Sequence, residues 1–90
     1  MRICLHGFVC GKVQGVSFRQ STQEQAEGLE LDGWVRNLGD GRVEVLVEGA
    51  EAAVREMEAW LARGPAGARV DELVLEEQPV QGVTGFVVRR

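Results

Sequence analysis

The order of apolar periodicities in this 90-residue chain predicts an α+β fold: a two-layer α/β sandwich with two helices on one face of a mostly antiparallel sheet. Three observations lead there. Period-2 runs and 3.6-period stripes follow one another in the order β α β β α β, with a short terminal strand. An Asp-Gly turn joins the middle two strands into a hairpin. The two helical stripes are too short to enclose a sheet, so both belong on one face.

The first strand is Ile3–Cys10. Alternation puts Ile3, Leu5 and Val9 on one face, expected under the helices, and Cys4, His6, Phe8 and Cys10 on the other. Gly7 inside the run predicts that something large packs over it. A helix follows from about Phe18 to Leu29, with Phe18, Thr22, Ala26 and Leu29 as its stripe. Gly33–Leu38 and Arg42–Glu48 then flank Gly39-Asp40-Gly41 as a hairpin. In the second helix Ala50, Ala53, Val54, Met57, Trp60 and Leu61 form one buried stripe, so Met57 and Trp60 read as core residues. Gly64-Pro65 stops that helix, because glycine suits the position past its end and proline cannot continue it. A fourth strand runs near Val70–Glu77, Pro79 and Gly82 mark a loop, and Gly85–Arg89 is the last strand. This is the split βαβ, or ferredoxin-like, arrangement, and residues 1–90 read as a single domain.

Composition narrows the function classes. Charged residues make up 27% and hydrophobic ones 44%, a globular balance rather than a disordered one. The net charge of −4 argues against a general nucleic-acid binder, which presents a basic face. An RNA-binding sandwich of this kind also needs aromatics on the open face of its central strands. Phe8 is the one candidate on the first strand, and tyrosine is absent. Glu24, Glu27, Glu30, Glu48, Glu51 and the acidic residues after them read as solvated faces. No signal segment or membrane-length apolar run is visible, so a cytoplasmic location is expected, with monomer as the default state. Cys4 and Cys10 on one strand lie roughly 20 Å apart, too far for a disulfide or for a shared metal with His6. An iron–sulfur centre needs four thiolates, and there are two.

The richest stretch is Gly11-Lys12-Val13-Gln14-Gly15-Val16-Ser17-Phe18-Arg19. A strand, a glycine-bounded loop and a helix start can form an oxyanion cradle, since glycines let successive amides converge and the helix adds its unpaired N–H groups and positive dipole end. Arg19, one turn into the helix, can supply a guanidinium fork for phosphate oxygens. With so acidic a chain, such a site works by local focusing through Lys12, Arg19, Arg36 and Arg42. The loop is neither a Walker A motif nor G-x-G-x-x-G. By pattern alone an anion site and a structural βα turn both remain open.

Together with Gly33-Trp34-Val35-Arg36-Asn37-Leu38-Gly39-Asp40-Gly41-Arg42-Val43-Glu44, that stretch closely resembles the paired signatures of the acylphosphatases. The resemblance covers nearly the whole chain. It implies an enzyme that hydrolyses the carboxyl–phosphate anhydride of acyl phosphates, releasing carboxylate and inorganic phosphate, the latter also a competitive ligand. It implies that the amides of Gly11, Lys12, Val13, Gln14, Gly15 and Val16 and the side chain of Arg19 hold the phosphate, that Asn37 holds the attacking water, and that no metal or other cofactor takes part. The residue types suit this chemistry. Phosphoryl transfer needs positioning and charge stabilisation, and a carboxylate of pKa about 4 leaves without a strong acid. Asn37 can orient water but cannot take its proton, so a phosphate oxygen is the expected acceptor. Ser17 has no base beside it and is not a nucleophile. A phosphate- or carbamoyl-phosphate-binding module without catalysis is the alternative.

Three positions depart from the family pattern. Ser17 stands where glycine is common, at a tolerant position. Glu30 occupies the place of a helix-ending glycine; a left-handed backbone there costs roughly 1–2 kcal/mol, so the helix is expected to end a turn earlier. Glu48 occupies the position whose cysteine, in some relatives, bridges to one placed like Cys4.

Overall fold

The computed structural model describes residues 1–89. Its elements are β1 (Arg2–Lys12), α1 (Phe18–Gly28), β2 (Asp32–Asn37), β3 (Val43–Ala50), α2 (Glu51–Arg63), β4 (Arg69–Gln78) and β5 (Phe86–Arg89). The strands form one sheet in the order β4-β1-β3-β2-β5. Three of its pairings are antiparallel and one, β2 with β5, is parallel. Each helix is a crossover between two strands that flank a third, β1–α1–β2 around β3 and β3–α2–β4 around β1, which is the expected split βαβ. α1 lies over β2 and β5, and α2 over β1, β3 and β4.

The helix-facing core follows the expected alternation. Ile3, Leu5 and Val9 of β1 meet Val43, Val45 and Val47 of β3, and the helices add Phe18, Ala26, Val54, Met57 and Leu61. Trp60 is half-buried against this core, its ring tilted on Phe18 with centroids 5.9 Å apart. Ala50, placed on the same stripe by its spacing, precedes α2 as an exposed cap. Gly7 departs from expectation. A Cβ there would meet the Val74 carbonyl oxygen at 1.7 Å, so the close neighbour is the backbone of β4 and not a large side chain.

The open face holds what the sequence reading placed in solvent or overlooked. Glu48 is fully buried, and Cys4 pairs with it directly across the β1–β3 ladder. The Glu48 carboxylate accepts the amides of Gln81 (2.6 Å) and Gly82 (2.9 Å), with the Arg2 guanidinium 3.7 Å away. Strand β3 is central and covered on both sides, so a carboxylate on it has to find partners instead of water. Glu44 is treated likewise. Burial pulls its pKa up, but bonds from His6 (2.7 Å) and Arg36 (2.6 Å) outweigh it and hold the carboxyl below its ordinary value. The His6 ring packs T-shaped on Phe8 and tilted on Trp34 here, with Arg42 over the Phe8 ring at 4.4 Å and Arg89 over the Trp34 ring at 4.9 Å. Trp34 of β2 adds a second aromatic ring to the open face beside Phe8, but guanidinium groups already cover both rings a base would stack on.

Helix α1 ends at Gly28, and Glu30 takes the left-handed conformation after all, at φ 58°. The Leu31 amide reaches the Ala26 carbonyl (2.9 Å) and the Glu30 amide that of Glu27 (3.0 Å), a Schellman closure that buries Leu31. The closure outweighs the backbone cost at Glu30, which is why the helix does not stop a turn earlier. Glu30→Gly removes that cost at an exposed site and is expected to stabilise the fold by about 1 kcal/mol, raising Tm by roughly 4–8 °C in a thermal melt. The Cys4 thiol is pushed from 9.0 up to about 11, by burial first and then by the charge and hydrogen bond of Glu48. A folded value above the unfolded one means its contribution to stability is whole below pH 9.0 and lost as pH rises toward 11. Denaturant midpoints across that window should fall for the wild type more than for Cys4→Ala.

Candidate active site

The cradle begins where β1 stops being a regular strand. A bulge between Cys10 and Gly11 shifts the register against β4, yet pairing continues through Lys12 with Arg69. Gly11 has φ 130°, and a Cβ there would stand 2.1 Å from the Arg69 carbonyl oxygen, so only glycine lets the two strands approach so closely. The chain then turns through Gly15 (φ 77°) and Ser17 (φ 60°, ψ 28°) into α1. Ser17 is the N-cap, but its hydroxyl caps nothing. The first intrahelical bond is donated by Ser21 to the Ser17 carbonyl (2.9 Å). The amides of Phe18, Arg19 and Gln20 thus have no partner in the helix and point from its positive end.

These groups open onto a cleft of about 340 Å³ lined by Val13, Gly15, Ser17, Phe18, Arg19, Gln20, Asn37 and Val88. Arg19 is held by Nη1 donating to the Arg89 carbonyl of β5 at 2.9 Å. Asn37 closes β2 opposite Val43, on the helix-facing side, and its Oδ1 is buried without a hydrogen-bond partner among the described residues. A guanidinium, three unpaired helix amides and an orphaned amide oxygen thus share one cavity. Such a set can take a tetrahedral oxyanion and one water.

The structure brings Val13, Gly15, Arg19 and Asn37 of the expected residues onto the cleft, and leaves Gly11, Lys12, Gln14 and Val16 off its lining. Gly11 and Lys12 belong to β1, which runs two residues past its expected end because the bulge carries the pairing on. Gln14 turns to the β2–β3 hairpin, where Nε2 donates to the carbonyls of Leu38 (2.8 Å) and Arg42 (3.0 Å). Val16 packs partly against the core. Of the four cations expected to focus charge, Arg19 alone lines the cleft. Arg36 is engaged by Glu44 and Arg42 by Asp40, whose exposed carboxyl is held below its ordinary value chiefly by the Arg42 amide. Ser17, Phe18, Gln20 and Val88 were not singled out as lining. For Val88 no sequence signal exists, since a parallel pairing 53 residues away in the chain places it opposite Val35. Among the described residues no three His, Cys, Asp or Glu side chains converge as metal ligands, and no helix is long and apolar enough to cross a membrane.

Comparison with known proteins agrees with this layout. The family model described as Acylphosphatase matches residues 5–88. The chain is 61% identical over 89 residues to an acylphosphatase of Pseudomonas aeruginosa, covering 99% of this chain and 98% of that one. An acylphosphatase structure from Coxiella burnetii superposes with a TM-score of 0.94 at 42% identity, covering 98% and 93% of the two chains. One from Bacillus subtilis gives 0.92 at 34% identity, with both chains covered in full.

The bulge geometry sets an expectation for the cradle. Gly11→Ala forces its methyl into the Arg69 carbonyl, so it should cost about 1–3 kcal/mol of stability and weaken inorganic phosphate binding, read by denaturant titration and calorimetry.

Proposed function

The chain belongs to the acylphosphatase family, and from that premise we propose how its residues carry the reaction. Its activity is hydrolysis of the carboxyl–phosphate anhydride of acyl phosphates to carboxylate and inorganic phosphate. The amides of Gly15 and of Ser17 through Gln20, with the Arg19 guanidinium, hold the phosphoryl oxygens, and the Asn37 side chain orients the attacking water. The observation that carries this reading is the orphaned Oδ1 of Asn37 in the cleft that Arg19 lines. A buried acceptor with no donor is costly unless a ligand or water supplies one.

The steps balance without a side-chain acid or base. The water oxygen bonds to phosphorus while the bond to the acyl oxygen breaks and the carboxylate leaves with the electron pair. The water's proton passes to a phosphoryl oxygen, so a dianionic acyl phosphate yields a carboxylate and dihydrogen phosphate. Asn37 contributes by accepting a hydrogen bond from the water, because its amide has no titrating proton. Arg19 contributes by charge-assisted bonds to equatorial oxygens whose charge grows toward the transition state, an effect worth roughly 10³–10⁵-fold for comparable arginines. Its hold on the Arg89 carbonyl keeps the guanidinium aimed before substrate arrives, which lowers the reorganisation required. No metal or cofactor enters the scheme.

The substrate is a small-molecule acyl phosphate and the product phosphate a competitive ligand. The cleft lining recognises the phosphate, and among its apolar residues Val13 and Phe18 are buried, leaving only the half-buried Val88 to meet the acyl group, which favours a permissive enzyme. Coverage of 98% of a relative named as an enzyme favours catalysis over a binding module without turnover.

The test is hydrolysis of benzoyl phosphate with a chelator present. Arg19→Ala is expected to lose at least roughly 10³-fold in turnover together with phosphate binding. Asn37→Ala should lose turnover yet still bind inorganic phosphate. Near-wild-type turnover by Asn37→Ala would sink the water-orienting role.

A further inference from the structure

We propose that Gln14 is a positioning residue that holds the phosphate cradle in register with Asn37, and that its side chain does not itself bind phosphate. The inference rests on the roles given above to the cradle and to Asn37. Gln14 sits between Val13 and Gly15, both on the cleft, and its half-buried side chain leaves the cradle for the hairpin. Its Nε2 donates to the Leu38 carbonyl at 2.8 Å and to the Arg42 carbonyl at 3.0 Å. Both partners are pure acceptors, so the nitrogen and not the oxygen of the amide must face them, and both of its N–H groups are engaged. Leu38 follows Asn37 directly, and its own amide closes the turn on the same Arg42 carbonyl at 2.8 Å. One side chain thereby fastens both ends of the hairpin turn, one of them the residue after Asn37, to the loop that forms the cradle.

Among the described residues, these two bonds are the ones that join positions 13–17 to positions 37–42. Asn37 pairs with Val43 at the last rung of the β2–β3 ladder, and its Oδ1 has no anchor of its own. Beyond it lies an exposed turn with Gly41 at φ 97°, the part of a hairpin that opens most easily. The attacking water and the phosphorus atom are therefore held on two separate segments, and Gln14 sets the distance between them. A misplacement of about 1 Å at such a site can cost about 10²-fold in rate.

Gln14→Met keeps the side-chain length and removes both donors. For benzoyl phosphate its kcat is expected to fall by about 10- to 100-fold, while inorganic phosphate inhibits with a constant within about threefold of wild type. Phosphate inhibition weakened in step with kcat would overturn the proposal, since Gln14 would then shape the cradle itself. A kcat within about twofold of wild type would overturn it too. Should Gln14→Met fail to fold, Gln14→His retains one ring donor and should show a smaller fall in kcat, again with phosphate inhibition preserved; a proportional loss of both counts against the proposal. Asn37→Ala assayed alongside separates the two claims. If it is inactive while Gln14→Met matches wild type, this proposal alone fails; if it stays active, the water-orienting reading fails and this one with it.

Discussion

The burial of β3 on both faces is the constraint around which the molecule is organised. Toward the helices it presents Val43, Val45 and Val47, all fully buried, and this side needs only apolar partners. Toward the open face it presents Glu44 and Glu48, at 7% and 0% exposure. A carboxylate at that depth has to be matched by donors, because an uncompensated buried charge costs several kcal/mol. The donors come from everywhere the sheet touches. His6 and Arg36 serve Glu44, while the Gln81 and Gly82 amides, with Arg2 near, serve Glu48. The central strand thus ties down the segment between β4 and β5, which the apolar core does not reach.

That tie bears on the cleft. With residues 81 and 82 fixed by Glu48, and Gly85 fixed by the Asp32 carboxylate at 2.9 Å, β5 can lie parallel to β2. Gln23 of α1 grips the Phe86 carbonyl at 3.0 Å and Arg19 the Arg89 carbonyl at 2.9 Å. A four-residue edge strand would be weak by itself, but here it is clasped from the sheet and from the helix. The cleft in turn owes most of its polarity to main-chain amides and a single cation, so it can favour an anion within a chain of net charge −4. Its proposed chemistry suits such a site, because phosphoryl transfer to water from a good leaving group asks for fixed dipoles and not for titrating side chains.

Some departures from the sequence expectations share one cause. Glu30 could be read as a residue unlikely to bear positive φ, yet the Schellman bonds and the burial of Leu31 dominate there. Glu48 reads as a surface residue by type, and only its place on the central strand shows otherwise. Gly7, as a glycine inside a strand, predicts a large side chain packed over it, whereas the backbone of the strand beside it approaches instead. At Glu48 and Gly7 the place of the strand in the sheet decides the outcome, and at Glu30 the helix closure and the burial of Leu31 do.

What the chain determines by itself is whatever rides on short-range periodicity and on residue type. The five strands, the two helices and their apolar stripes, the Asp-Gly hairpin and the Ile3, Leu5, Val9 face of the first strand are legible because alternation and 3.6-residue spacing are properties of neighbours in sequence. The glycine-bounded loop and Arg19 suggest an anion cradle by residue type, with a structural turn left open, and Asn37 is singled out only through the family resemblance that the two long segments carry. What the tertiary structure decides is every relation between distant segments. It puts β5 beside β2, Val88 at the cleft, the Arg89 carbonyl against Arg19, Glu48 in the interior and Gln14 on the hairpin. None of these leaves a periodic trace, since each depends on where a strand lands across the sheet, and that is settled by the packing of the whole.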